Sequence, residues 1–261
     1  MLVDSHAHLE MKEFDPDREE VIRRAGSEGI DFIITVGTNL KLSLKAVTLA
    51  DQYENIYATV GVHPHDVARI NNHTLDALKD LARKQKKIVA YGEIGLDFFR
   101  NISPPEQQLE LFGRQLELAG ELNLPVVIHD REAHRQTLET VQASRVRRGV
   151  FHCFSGDYEM AKKCIDLGFY ISIPGVVTYD KSKTLQDVAA RTPLSSLLVE
   201  TDAPYLTPVP HRGKRNEPSY VIHTAKKVAE IRGMPLEEVA RQTSLNALNL
   251  FGIDSSARSG Q

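Results

Sequence analysis

Six residues of this 261-residue chain carry side chains that bind metal ions and stand where short apolar runs end: His6, His8, Glu93, His129, His152 and Asp202. Imidazole suits zinc and similar transition metals, and carboxylates extend the choice to harder ions such as manganese or magnesium. His6 and His8 are separated by one residue, so on an extended strand both rings point to the same side and can share one ion. Gly92 and Gly95 flank Glu93 and let the backbone turn tightly around that carboxylate. Four histidines and two carboxylates exceed one tetrahedral shell. They suffice for two divalent cations if Glu93, between the two histidine groups, bridges them. Two cations about 3.5 to 4 Å apart would stabilise the attacking and leaving oxygens of an in-line phosphoryl displacement and lower the pKa of a bound water. The expected chemistry is hydrolysis.

Taken singly, each residue has an ordinary reading. A His-x-His pair is two polar residues on a strand, a lone histidine fills a core or a loop, Glu93 pairs with a cation, and Asp202 forms a turn before Pro204. The weight lies in the coincidence of six such residues at the ends of five separate runs.

The elements that must position them are β-prone runs at 2–4, 32–36, 56–62, 88–93, 125–129, 149–153, 169–173 and 197–201. Amphipathic stretches separate them. In the best marked one, Ser103 is expected to cap a helix over 104–122, with Pro104 at the first position and Glu106 closing a capping box. Its buried stripe would be Leu109, Phe112, Leu116 and Ala119. Eight alternating units in about 250 residues predict a single (β/α)8 TIM barrel, in which chemistry sits at the C-terminal ends of the strands. A doubly wound sheet would want a glycine-rich turn where Asp4-Ser5-His6-Ala7-His8 stands. Two more helices are expected at about 217–232 and 235–250. With no linker, charge block or repeat, one domain is expected over 1–261, its polar tail 254–261 frayed.

Composition narrows the function classes. A 41% hydrophobic chain with a formal charge of −3 is neither disordered nor a basic protein that coats nucleic acid along its length. It still permits a grip on one phosphate, because two dications would turn that charge positive. Cys153 and Cys164 are the only cysteines, which fits a reducing compartment. No signal-peptide pattern and no long apolar run is present. The expectation is a cytoplasmic protein without membrane contact or an obligatory protein partner.

Beyond the metal set, Asp202 can also accept a proton from an attacking water. Glu200, two residues earlier, would orient a ligand or an active-site water and is expected among the substrate contacts. Arg212, in the basic loop His211-Arg212-Gly213-Lys214-Arg215, is expected to grip phosphate. His63 follows the third run and is expected to touch the scissile group. Phe98, Phe99 and Tyr205 could stack on a nucleobase or simply pack the loops. Arg145, Arg147 and Arg148 read as a solvated face at the opposite end. His65, His73, His134 and His223 read as surface residues. Strand alternation would turn Cys153 away from the site.

Several segments together resemble the TatD family of metal-dependent deoxyribonucleases, from residue 3 to about residue 251. They are Val3-Asp4-Ser5-His6-Ala7-His8-Leu9, Gly61-Val62-His63-Pro64 and Gly92-Glu93-Ile94-Gly95-Leu96-Asp97-Phe98. With them go Val127-Ile128-His129, His152-Cys153-Phe154-Ser155-Gly156, Glu200-Thr201-Asp202-Ala203-Pro204-Tyr205-Leu206 and the stretch from Pro208 to Pro218. The resemblance implies an amidohydrolase-type barrel in which His6, His8 and Asp202 hold one metal, His129 and His152 the other, and Glu93 is shared. It also implies cleavage of DNA from an end, in the manner of a 3′ to 5′ exonuclease, or hydrolysis of another phosphoester. Ile94, where the family often has Thr, and Asp130-Arg131-Glu132, where it often has Thr-Arg-Asp, depart from the usual residues at Ile94, Asp130 and Glu132 and bear on substrate contact. Hydrolysis of a C–N or C–O bond in a small substrate is the enzymatic alternative. Many such enzymes bridge their metals with a carboxylated lysine, and Lys87 lies too far back on its run for that. A binding protein with a decayed site is a third reading, although none of the six ligands is missing.

Overall fold

The computed structural model describes residues 1–71 and 73–254, so the tail expected to fray lies, from residue 255 on, outside the described residues. The elements run β1 (Val3–Ala7), α1 (Arg18–Ser27), β2 (Phe32–Val36), α2 (Leu40–Gln52), β3 (Ile56–Val60), α3 (Thr74–Lys84), β4 (Ile88–Asp97) and α4 (Pro105–Leu122). They continue β5 (Val126–Arg131), α5 (His134–Ala143), β6 (Gly149–Phe151), α6 (Tyr158–Asp166), β7 (Phe169–Ile173), α7 (Lys183–Arg191), β8 (Leu197–Val199), α8 (Val221–Arg232) and α9 (Leu236–Phe251). All eight strands are parallel and pair in sequence order. A bridge between Ala7 and Ala203 brings the last strand back to the first, with the His8 amide donating to the Ala203 carbonyl at 2.8 Å. Asp4 reinforces this seam by accepting bonds from the Thr201 amide at 2.9 Å and the Thr201 hydroxyl at 2.6 Å. The architecture is the expected (β/α)8 barrel. No helix among the described residues is long and apolar enough to cross a membrane.

Strands buried on both faces explain the near-continuous apolar runs, since helices cover the outside and side chains fill the inside. One buried cluster joins Val127, Val150 and Leu198 to Leu248, Leu250 and Phe251 of α9. Val127 and Val150 precede His129 and His152 by two residues, so the histidines stand over the same interior.

Some expected boundaries shift, and each shift has a local cause. β4 continues past Glu93 to Asp97, while β6 stops at Phe151 and β8 at Val199. His152, Cys153 and Asp202 therefore lie beyond their strands. Cys153 and Asp202 take left-handed φ values of 44° and 56°, and strand alternation no longer governs where they point. Ser103 does not cap α4. Pro104 stands at the cap, and the Ser103 hydroxyl instead donates to the His65 carbonyl and accepts from the Ala68 amide, both at 3.2 Å. Leu109 is half-buried, while Gln108 and Gln115 are buried in the helix face. Their amides serve the ends of two strands, Gln108 at the Asp97 amide (2.8 Å) and Gln115 at the Val62 amide (2.8 Å). The helix expected from 217 begins at Val221, after a short 3-10 turn over Pro218–Tyr220.

β4 and β5 approach closely because of one glycine. Gly95 has φ of 140°, and a Cβ there would collide with the carbonyl oxygen of His129. A Gly95→Ala change should destabilise the fold by about 3 kcal/mol through strain and overpacking. It should lower the melting temperature by about 6 to 10 °C, and a shift under about 2 °C would contradict this reading.

Candidate metal centre and active site

The six expected ligands converge at the C-terminal ends of β1, β4, β5, β6 and β8. His6 Nε2, His8 Nε2, Glu93 Oε2 and Asp202 Oδ1 form one group. His6 lies 3.3 Å from His8, 3.5 Å from Glu93 and 3.8 Å from Asp202. His8 lies 3.7 Å from Glu93 and 3.4 Å from Asp202. An ideal tetrahedral shell with ligands 2.0 to 2.1 Å from the ion has edges of about 3.3 to 3.4 Å. The group fits such a shell with small adjustments.

The second group centres on the other oxygen of the same carboxylate. Glu93 Oε1 lies 2.8 Å from His129 Nδ1 and 2.8 Å from His152 Nε2, and the two imidazole nitrogens are 3.4 Å apart. His63 Nε2 is also near, 3.3 Å from Glu93 Oε1. Three sets of ligand atoms can each surround one ion: His6, His152 and Asp202; His6, His8 and Glu93; and His63, Glu93 and His129. His63 thus faces the shared carboxylate as well as the cavity.

Outer groups hold these rings in place. His8 Nδ1 lies 3.0 Å from the Val36 carbonyl and 3.4 Å from the buried Glu10. His129 Nε2 lies 3.2 Å from Asp97 Oδ2, which also meets His65 Nε2 at 2.8 Å. His152 Nδ1 faces Glu200 at 3.5 Å. Such carboxylates fix ring orientation and raise ligand basicity.

Burial and these neighbours set the charges in the absence of a cation. Burial pushes the Glu93 carboxyl up, but the surrounding imidazoles outweigh it and hold its pKa well below 4.5. Burial alone would lower His8, His129 and His152, yet Asp202 and Glu10, Asp97 and Glu93, and Glu93 and Glu200 respectively raise each above its ordinary 6.5. His6 is lowered by burial and the neighbouring His152, and burial takes His63 down to about 4. Protons on three imidazoles thus balance the buried carboxylates, the role a cation would take over.

The centre opens into a cavity of about 930 Å³ lined by His8, His63, His65, Glu93, His129, His152 and Asp202, among others. Its wall also includes Arg100, Arg131, Lys181 and Tyr205. Two expected substrate contacts sit elsewhere. Glu200 is fully buried, with its carboxylate on the Cys153 amide at 2.6 Å and behind His152. Its surroundings suit it to orient His152, not to meet substrate. Arg212 is absent from the cavity wall, and its guanidinium lies 4.5 Å from the centre of the Tyr179 ring. Arg215 of the same loop is tied to Asp17 at 2.8 and 2.7 Å. Two other readings also change. Cys153 lines the cavity, because its left-handed backbone breaks the alternation that was expected to turn it away. His65 joins the centre through Asp97 and is not a free surface residue. Asp97 itself carried a signal in the sequence, as the carboxylate that closes the Gly92–Asp97 motif.

A family model described as TatD related DNase matches residues 3–252. A Bacillus subtilis (strain 168) protein named uncharacterized metal-dependent hydrolase YabD is 41% identical over 256 residues, covering 97% of this chain and 100% of that protein. A Citrobacter koseri protein named 3'-5' ssDNA/RNA exonuclease TatD is 40% identical over 260 residues, covering 97% of this chain and 99% of that protein. The crystal structure of YJJV, a TatD homologue from Escherichia coli K12, superposes with a TM-score of 0.93 at 33% identity, covering 97% of this chain and 98% of that one. A dihydroorotase structure superposes with a TM-score of 0.66 at 18% identity, over 97% of this chain and 72% of that one, and so shares the barrel. With its ligand-bearing motifs lying within the matched span, the chain belongs to the TatD related DNase family of metal-dependent hydrolases.

Proposed function

We propose that the chain hydrolyses phosphodiester bonds of DNA from a strand end, in the 3′ to 5′ direction, using two divalent cations of zinc, manganese or magnesium. The observation that carries this reading is the Glu93 carboxylate, whose two oxygens face two separate imidazole groups. His6, His8 and Asp202 would hold one ion, His129 and His152 the other, and Glu93 both. Bound cations supply Lewis-acid stabilisation of phosphoryl oxygens and a water of lowered pKa. The chain's own residues do the rest. Asp202 is half-buried against His8 at 3.4 Å and lines the cavity, so it can take a proton from the attacking water while staying fixed in place. Asp97 and Glu200 hold the rings of His129 and His152. His63 reaches both Glu93 and the cavity, where it would contact the scissile group. The resemblance in sequence to a relative named as a 3'-5' exonuclease supports the polymer and the direction.

For the C–N or C–O alternative, a bridging lysine would be the expected device. The Lys87 amine is instead bound to the Tyr53 and Glu54 carbonyls, at 3.0 and 2.6 Å, at the start of β4. Glu93 takes the bridging place. The reading sets the enzyme in the cytoplasm, in keeping with two free thiols.

Assays with 3′-labelled single-stranded DNA, a bis-aryl phosphodiester and an N-acyl substrate, each with added manganese, magnesium or zinc, test the reaction class. Turnover of the two phosphodiesters is expected. Turnover of the N-acyl substrate alone would overturn the reading. Asp202→Asn should lower kcat by about 10² to 10⁴ with a smaller effect on KM, and near-normal turnover with both ions bound would remove Asp202 from the proton step. Because His8, His129 and His152 hold protons above pH 6.5, cation binding must displace them as pH falls. The apparent Kd should rise at least about tenfold for each unit by which the pH falls between about pH 8 and 6. Titration calorimetry in two buffers of different ionisation enthalpy would show the released protons, and a pH-independent Kd would contradict these assignments.

A further inference from the structure

The cavity is larger than one phosphodiester needs, and its positive charge is one-sided. Arg100 and Lys181 line it from the loops after β4 and β7, and Arg131 from the end of β5. Among the described residues, none of the three meets a carboxylate at ion-pair distance, whereas Arg24 is committed to Glu217 at 2.7 Å and Arg215 to Asp17 at 2.7 Å. Arg131 is the most closely fixed of the three. It is the last residue of β5, its carbonyl accepts from the Phe98 amide at 2.9 Å, and it pairs with Asp97 in the strand register. His129 and Arg131 are two residues apart on one strand, so they face the same side about 6.6 Å from each other along it. Both side chains line the same cavity, the imidazole at the ligand cluster and the guanidinium on the wall beside it. The Arg131 guanidinium lies 4.0 Å from the centre of the Phe99 ring, and that ring is 52% exposed although it is a large apolar group.

We propose that Arg131, backed by Phe99 and sharing the cavity wall with Arg100, forms a subsite for the second phosphate and adjoining base of a single-stranded nucleic acid, one nucleotide from the bond held at the metal centre. The proposal rests on the phosphodiesterase reading above and adds to it a determinant of substrate length. A guanidinium fork grips phosphate oxygens bidentately, while its flat face and an exposed ring accept an unstacked base. A paired strand keeps its bases stacked inside the duplex, so this subsite selects single strands. The role expected for Arg212 falls instead to Arg131.

Thymidine dinucleotide has one phosphodiester and the trinucleotide has two, so the ratio of their kcat/KM values reads the subsite directly. In the wild-type protein the trinucleotide should be favoured at least about tenfold. Arg131→Ala should bring that ratio below about threefold, chiefly through KM, while turnover of a bis-aryl phosphodiester stays within about twofold of wild type. Arg131→Lys, which keeps the charge without the planar fork, should fall between, and Phe99→Ala should lose part of the preference. The salt dependence of oligonucleotide binding should flatten by about 0.7 in log–log slope when Arg131 is removed. A wild-type ratio near one, or an Arg131→Ala ratio equal to wild type, overturns the subsite. A wild-type enzyme that cleaves the aryl diester but neither oligonucleotide contradicts the nucleic-acid reading itself, a separate result.

Discussion

A single buried carboxylate organises this molecule. Glu93 is 2% exposed, and its two oxygens lie within 3.7 Å of nitrogens from His6, His8, His63, His129 and His152. A charge removed from water in this way costs several kcal/mol unless matched by opposite charge and hydrogen bonds. Five imidazoles from four separate parts of the chain meet that demand. They can do so with protons or by sharing cations, and the carboxylates around His8, His129 and His152 raise the pKa values of those three rings so that their positive charge offsets the buried negative charge. Charge balance therefore links folding of the barrel mouth to loading of the centre.

The rest of the barrel serves that convergence. β4 extends four residues beyond Glu93 to Asp97, so one strand supplies both the carboxylate that faces two imidazole groups and the carboxylate behind His129. Gly95 lets that extended strand lie against β5, setting Glu93 beside His129. The Asp4–Thr201 bonds and the Ala7–Ala203 bridge close the sheet where His6, His8 and Asp202 must meet. In each case the contact that closes the fold lies within two residues of a group that builds the centre.

The strand-and-helix alternation and the six ligand candidates were legible in the sequence because both follow from periodicity and residue type. Parallel strands buried on two faces leave apolar runs, and ligands at their ends stand out as polar residues. The polar partners behind the ligands were harder to see. Glu200 looked like a substrate contact two residues from Asp202, but Asp202 enters left-handed backbone and separates the two side chains' roles. Arg212 carried charge in a suggestive loop, yet its guanidinium lies over Tyr179, while Arg131 drew no notice between Asp130 and Glu132, the two departures on either side of it. Pairings such as Asp97 with His65, or Gln115 with the Val62 backbone, join residues more than thirty positions apart and depend on the packed fold. Ser103 failed as a cap for the same reason, its hydroxyl being drawn to the loop after β3.

The central claim is that Glu93 serves two cations at once, and counting ions tests it most directly. Metal analysis after equilibrium dialysis of the wild-type protein and of Glu93→Gln, at a cation concentration that saturates the former, should give two ions per wild-type chain and the loss of both from the variant. One ion retained by Glu93→Gln at wild-type affinity would show that Glu93 belongs to a single site and would contradict the account.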